Sequence, residues 1–354
     1  MNVLVTGATG LVGSHVVRAV EAGGHEVRAL VRRRSDVRAL AGTTADRVIG
    51  DITSEQAMLS ACEGVDVVIH CAAVFSYWGW SAEELARINV DGTRTVLEAA
   101  GAAGVRRAVV TSSSITLGSS AGPVARDEGA VPGPDEPSPD YFVSKLQQER
   151  AAADVAARIG IELVLANPTI VVGGPDYRLV PSNALITRYL ADPMRTTFPG
   201  GCNIVSVRDV AAGLVLLADA GAAGTRYVLG GENWSWPTIH RVVSELCGTW
   251  GPGLTATRTA AYLGSGVQEL IARLLATTPA ATRAEARTVG RYFWYRHDRA
   301  AGLGYRPRPA RQALAEALGW LLTSEHVPQP VRDWLRPLPD VYESRKLIPS
   351  SGRR

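Results

Sequence analysis

The sequence predicts an α/β fold, a doubly wound parallel sheet in the first half followed by a smaller C-terminal lobe. Three observations predict it. A short apolar run, Asn2–Thr6, leads into a glycine-punctuated turn and then a stretch with helical apolar spacing. Apolar runs alternate with such stretches to about residue 175, the rhythm of strand–helix–strand units. After Pro175 that rhythm breaks down.

The first unit sets the chemistry. Asn2–Thr6 suits a strand buried on both faces. Gly7, Gly10 and Gly13 follow three residues apart, and Val12, Val16, Val17 and Val20 recur at helical spacing. Gly23-Gly24 ends the helix, and Glu26–Val31 reads as the second strand. Glycines let the backbone turn tightly and approach a pyrophosphate without a Cβ in the way. The helix start adds free N–H groups and partial positive charge. A Rossmann-type nucleotide domain is therefore expected. A carboxylate at the end of the second strand would select the ribose 2′-OH of NAD. Here Val31 is followed by Arg32, Arg33 and Arg34. Guanidinium groups suit a 2′-phosphate, so NADP(H) is expected over NAD(H).

The later elements follow in order. Asp46–Asp51 ends a third strand, with Asp51 placed to meet adenine, and Val65–Ala73 is a fourth, whose small Ala72 and Ala73 let a cofactor lie against backbone. Arg106–Gly118 is a fifth strand ending in the hydroxyls Ser112, Ser113 and Ser114. Leu163–Asp176 is another buried strand that ends in a Pro/Gly loop.

Composition narrows the function classes. The chain has 354 residues, 46% hydrophobic and 20% charged, with a net charge of +3. Acids and bases are mixed along it, which gives no reason to expect nucleic acid. The four cysteines, Cys62, Cys71, Cys202 and Cys247, form no CxxC pair. Zinc and redox motifs are not suggested, and free thiols in a reducing cytoplasm are expected. The chain opens on "MNVLVTG" with no basic-then-apolar leader, and no apolar stretch approaches the ~20 residues of a membrane span.

One lysine stands out. Of 37 basic residues only Lys145 and Lys346 are lysine. Lys145 follows Tyr141 by four residues, which puts both on one face of a helix. Ten tyrosines and two lysines give about 0.06 such pairs by chance. Reducing a ketone needs a proton donor at oxygen while hydride arrives at carbon. A free phenol titrates near ~10, and a nearby ammonium lowers that value. Lysine is a compact charge with three donors, whereas arginine is a broad planar fork.

The glycine turn, the serine-ending strand and the Tyr-x-x-x-Lys pair together resemble the extended short-chain dehydrogenase/reductase superfamily. The closest likeness is to its dihydroflavonol-reductase-like and 3β-hydroxysteroid-dehydrogenase-like branch. "TSSSITLG", "NIVSVRDVAAG" and "YVLGGEN" are also similar to hopanoid-associated epimerase-like proteins. The resemblance implies catalysis by Tyr141, Lys145 and a serine. Reductases of this branch align Ser113 and sugar epimerases align Ser114; Ser113 is favoured. It implies cofactor contacts from Thr6, Gly7, Thr9, Gly10, Leu11, Val12, Gly13, Arg32, Arg33, Asp51, Ile52, Cys71, Ala72, Ala73, Asn167, Pro168 and Thr169, beside Tyr141 and Lys145.

The resemblance also implies domain limits: a nucleotide domain over residues 1–175, rejoined from about 200–220, and a substrate lobe over 176–330. An irregular extension is expected over 331–354. Phe75, Tyr77 and Trp78, in the loop after the fourth strand, are substrate candidates with Ser113. The cluster Arg291–Tyr295 reads as packing, with substrate contact as the alternative, and the unusually apolar Ala260–Ala276 as a buried helix, with a lid or a lipid-facing helix as alternatives.

The expected activity is an NADP-dependent ketone/alcohol oxidoreductase on a bulky, largely apolar molecule. The alternative is an NDP-sugar epimerase or dehydratase with tightly bound NAD. Against it, "GGCNIVSVRD" lacks the Arg-Asp-aromatic run of those enzymes, and Leu117-Gly118-Ser119 replaces their Tyr-Gly. A non-catalytic dinucleotide sensor ranks last, because Tyr141 and Lys145 are both present. The helices at 82–101 and 141–160 form a dimer interface in many relatives, whereas monomers occur in the reductase branch, so the resemblance leaves both a homodimer and a monomer open.

Overall fold

The computed structural model describes residues 1–347. The first half alternates as expected. Its elements are β1 (Asn2–Thr6), α1 (Leu11–Ala22), β2 (Glu26–Val31), β3 (Asp46–Ile49), α2 (Glu55–Cys62) and β4 (Val67–His70). Then come α3 (Ala82–Ala86), α4 (Gly92–Ala102), β5 (Arg107–Thr111), α5 (Asp140–Ile159), β6 (Glu162–Pro168) and β7 (Ile170–Val172).

The second half runs α6 (Pro181–Ala191), β8 (Thr196–Thr197), β9 (Gly201–Ser206), α7 (Val207–Ala220), β10 (Thr225–Leu229) and β11 (Glu232–Ser235). It continues with α8 (Trp236–Leu246), β12 (Leu254–Thr255), α9 (Arg258–Leu274), α10 (Arg283–Ala286) and β13 (Tyr292–Phe293). The last helices are α11 (Asp298–Gly302), α12 (Ala310–Leu321), α13 (Gln329–Asp333) and α14 (Pro339–Ser344).

Seven parallel strands form the main sheet in the order β10-β6-β5-β4-β1-β2-β3. The order reverses between β1 and β4, which opens a crevice at the strand C-termini. Val16, Val17 and Val20 of α1 join Leu214 and Leu217 of α7 on one face of the sheet. Met58, Val96, Leu97 and Val155, from α2, α4 and α5, cover the other. Each such side chain contributes roughly 1.5–3 kcal/mol on burial, so both faces are sealed and the sheet is a rigid base. A second, small sheet has the order β11-β9-β13, with β7 also on β9. Helix α7 packs on the main sheet, and β10 pairs with β6 at its edge.

Two expectations fail. The extension over 331–354 was expected to be irregular, but within its described part, 331–347, α13 ends and α14 forms, and Leu335 and Val341 are buried in the core around α12; residues 348–354 lie outside the described residues. The apolar spacing there is too short to signal a helix, yet α12 presents a matching surface. The segment 260–276 was expected to be a buried helix. Instead α9 buries only Ser265, Glu269 and Ala272 and turns its large apolar side chains outward. Among the described residues, no helix is long and apolar enough to cross a membrane, and no group of His, Cys, Asp or Glu is set to hold a metal ion.

Candidate active site

The crevice holds a cavity of about 1170 Å³. Its floor is the turn between β1 and α1. Gly7 has φ +66°, and a Cβ there would lie 2.7 Å from the Ala72 nitrogen at the end of β4. Gly13 packs against the turn, where a Cβ would come within 2.2 Å of the Gly7 carbonyl. Gly10 is different: a Cβ there meets only the Gly7 carbonyl, at 3.3 Å, so its open side faces the cavity. No side chain caps α1 among the described residues, and its first turn carries no acid. Such a helix start suits an anion.

Most of the expected nucleotide contacts line this cavity. Gly7, Thr9, Gly10, Leu11, Val12, Gly13, Arg32, Asp51, Ile52, Cys71, Ala72, Ala73, Pro168 and Thr169 all do. Thr6, Arg33 and Asn167 do not. Thr6 is fully buried, bonding His70 and the Ala72 nitrogen. Arg33 is exposed and off the cavity wall, because the chain turns at Arg33-Arg34, closed by a bond from the Ser35 nitrogen to the Arg32 carbonyl. Asn167 donates from Nδ2 to Ser113 O, Thr116 Oγ1 and Glu149 Oε1, a structural role beneath the site. Asp51 accepts from the Thr53 nitrogen and hydroxyl. Burial pushes its carboxyl up, but those bonds, with Arg32 and Arg87, hold it below the usual range.

Arg178 went unread in the sequence. Its guanidinium donates to Thr9 Oγ1 at 2.9 Å across the crevice, and it lines the cavity beside the glycine turn. The loop that carries it is built around Asp176, whose carboxylate accepts from the nitrogens of Arg178 and Val180 and from Asn183 Nδ2. No spacing rule links residues 169 positions apart.

At the other end of the cavity, α5 presents Tyr141 and Lys145, both buried and both on its wall. Lys145 Nζ donates to the Thr111 carbonyl at 2.9 Å and to Gln148 Oε1 at 2.7 Å. Gln148 Nε2 donates to Thr93 Oγ1, which gives its own proton to the Asn89 carbonyl. Thr93 must therefore accept from His70 Nε2, 3.0 Å away, and His70 Nδ1 accepts from Thr6. Burial, and then the charge of Lys145, pushes His70 down to about 3, so the ring is neutral. A closed chain of satisfied donors thus fixes Lys145 from the sheet side.

A π-turn at Arg87–Asp91 carries Asn89. Its amide accepts from the Val74 nitrogen and donates to Val74 O and Ser144 Oγ, pinning the β4 loop to α5.

Burial lowers the Lys145 ammonium to about 8, against the opposing pull of Glu149 and then Cys71. The expectation of a phenol brought down by the ammonium is not met. Burial pushes Tyr141 well above its ordinary value, and a bond with the Ser113 hydroxyl only partly offsets this. Burial dominates: the Tyr141 ring packs under Phe75, 4.7 Å between centroids, and Lys145 turns two of its three donors to Thr111 and Gln148, which leaves one N–H for charge that develops nearby.

The two serines face different tyrosines. Strand β5 stops at Thr111, and a 3₁₀ turn over Ser114–Leu117 follows. The Ser113 hydroxyl lies close enough to Tyr141 to pull its phenol down, and the Ser114 hydroxyl does the same for Tyr295, whose own hydroxyl donates to the Gly118 carbonyl; both serines line the cavity. Below the turn, buried Glu149 accepts from Ser112, Thr116 and Asn167 at 2.5, 2.9 and 2.7 Å. Arg226 balances its charge at 3.1 Å.

The outer walls are apolar. Phe75 and Tyr77 line the cavity as expected, but Trp78 does not; it stacks under Arg273, 5.5 Å from the ring centre. The cluster Arg291–Tyr295 was read as packing, yet Phe293 and Tyr295 reach the cavity because β13 pairs with β9. All four cysteines are free, and Cys71 lines the cavity.

Comparison with known proteins places this arrangement. Residues 3–230 match the model of the NAD dependent epimerase/dehydratase family. The chain is 34% identical over 254 residues to sterol demethylase protein B of Methylococcus capsulatus, spanning 72% of this chain and 77% of that protein. It is 32% identical over 330 residues to a putative dihydroflavonol 4-reductase of Synechocystis, spanning 91% and 95%. The crystal structure of gox2253 superposes with a TM-score of 0.80 at 32% identity, over 92% of this chain and 99% of that one. The chain belongs to the NAD dependent epimerase/dehydratase family, among the extended short-chain dehydrogenases/reductases, enzymes that act on CH–OH and C=O groups.

Proposed function

We propose that this enzyme is an NADP-dependent oxidoreductase that interconverts a ketone and a secondary alcohol on a bulky, largely apolar small molecule. One observation carries the reading. A single cavity joins the glycine turn, the Ser113–Tyr141–Lys145 group and a wall of Phe75, Tyr77, Trp236 and Phe293. The sterol-directed name of one relative supports an apolar substrate.

The residues fit a dinucleotide. The uncapped start of α1 and Arg178 would hold the pyrophosphate, Arg32 a 2′-phosphate, and Asp51 and Ile52 the adenine end. Cys71, Ala72, Ala73, Pro168 and Thr169 would flank the nicotinamide half. When bound, that group supplies or accepts the hydride. Tyr141 then acts as the acid: burial keeps its phenol protonated, ready to donate to a carbonyl oxygen as charge develops there. Ser113 orients the phenol and is the second donor to that oxygen. The Lys145 ammonium stabilises the phenolate left behind. In the alcohol-to-ketone direction each proton moves in reverse.

Two tests follow. NADPH should be consumed with a panel of bulky ketones in preference to NADH. Arg32→Ala should raise KM for NADPH about tenfold while leaving NADH little changed. The acid Asp36 in the same loop is already held by Arg38 at 2.6 Å, which favours this preference; a clear preference for NADH would refute it. Separately, Ser113→Ala should lower kcat roughly 10²-fold and Ser114→Ala only a few-fold, measured at saturating cofactor. The opposite order would assign the role to Ser114.

A further inference from the structure

Helix α9 is turned inside out for a water-soluble protein. A surface helix normally buries its apolar stripe. Here Leu263, Val267, Leu270, Ile271 and Leu274 are between 48% and 77% exposed. They fall at i, i+4, i+7, i+8 and i+11, a single stripe about 100° wide. The side facing the protein carries Ser265, Glu269 and Ala272. Scattered exposed leucines need no account, but a continuous stripe does.

The charges around the stripe are positive. The two carboxylates within residues 258–287, Glu269 and Glu285, are tied to Arg283 and Arg188 at 2.8 and 3.0 Å. Among the described residues, Arg258, Arg273 and Arg287 have no carboxylate within salt-bridge reach. Arg258 and Arg273 sit at the two ends of the helix, both exposed, with Arg273 lying over the Trp78 ring. More apolar surface stands nearby on the β8–β12 pair that leads into α9, with Met194, Trp250 and Leu254 exposed.

The helix is also a wall of the active-site cavity. Ala261, Gly264 and Gln268, on the flank between stripe and buried side, line it. Gly264 and Gln268 are themselves exposed, so the cavity opens along this helix.

We propose that α9 is an interfacial membrane-docking helix. Its stripe enters the headgroup–acyl boundary of an anionic phospholipid surface, Arg258 and Arg273 meet the headgroups, and apolar substrate passes between bilayer and cavity along the Ala261–Gln268 flank. A second copy of the chain fits the face less well. One 17-residue helix presents a strip about 25 Å long and ~10 Å wide, far below the roughly 800 Å² per partner of a stable interface. An apolar face with a basic border is the pattern of helices lying in a membrane interface. Lipid binding by α9 stands apart from the ketone/alcohol reading, whereas the passage of apolar substrate rests on it; flotation and hydrogen exchange test the first without turnover.

The test is flotation of the full chain with phosphatidylcholine vesicles containing about one-quarter phosphatidylglycerol, against phosphatidylcholine alone. The protein should float with the anionic vesicles and be released by salt. The triple variant Leu263→Gln/Leu270→Gln/Leu274→Gln should lose affinity at least about tenfold, and Arg258→Gln/Arg273→Gln should lose the preference for anionic lipid. Hydrogen exchange on the unmodified protein gives a readout free of folding effects: vesicles should protect residues 258–274. The proposal is overturned by failure of the wild type to bind, by undiminished binding of the triple variant, or by no protection in α9. It is overturned equally if light scattering shows a dimer that the triple variant splits and vesicles do not bind.

Discussion

Tyr141→Phe is expected to lower kcat by roughly 10²–10⁴-fold while leaving NADPH binding close to wild type. The substitution removes only the phenolic oxygen. The ring keeps its neighbours Phe75, Tyr77 and Phe142, with centroids 4.7, 6.0 and 6.3 Å away, so the wall of the cavity does not collapse. What disappears is the phenol held protonated by burial, with its polar contact to the nearby Ser113 hydroxyl. A fluorescence titration with NADPH beside steady-state rates separates the two effects. Turnover that survives the substitution would remove the proposed proton donor.

The second large effect concerns Lys145. Lys145→Met should lower kcat at least about 10²-fold and reduce stability by about 1–3 kcal/mol, because Thr111 O and Gln148 Oε1 lose their buried donor. Its pH dependence carries a definite sign. The ammonium titrates at about 8 because burial favours the neutral amine. The charge that stabilises the phenolate is therefore present below that pH and lost above it, and kcat/KM for ketone reduction should fall on the alkaline side of about 8. Lys145→Arg keeps a charge that does not titrate in this range, so whatever activity it retains should lack that limb. A wild-type profile flat through pH 9 to ~10 would show that the charge on Lys145 is not needed.

The parts of the fold that local chemistry dictates were legible in the sequence. β1 and β2 lie where the apolar runs Asn2–Thr6 and Glu26–Val31 put them, since glycines bound the runs and leave no other register. The Tyr141–Lys145 face was legible too, because α5 starts at Asp140 after a proline-rich loop and spans both residues. The choice between Ser113 and Ser114 was harder. Strand alternation stops applying at Thr111, and the 3₁₀ turn that replaces it is held by Glu149, a residue on another element. Arg178 on Thr9, and the Gln148–Thr93–His70 chain behind Lys145, join residues far apart in sequence. Helix α9 shows the remaining limit. Composition marked the segment as apolar but not which way its side chains face, which depends on what the neighbouring elements leave uncovered.

The most direct measurement follows a hydride. Purified enzyme is mixed with NADPH deuterated at the nicotinamide C4 and the panel of bulky apolar ketones, and the products are read by mass spectrometry. The account predicts deuterium on the carbinol carbon of the new alcohol, one label per NADPH oxidised. Ketones left intact with label retained on the cofactor, beside turnover of an NDP-sugar without net cofactor consumption, would contradict it.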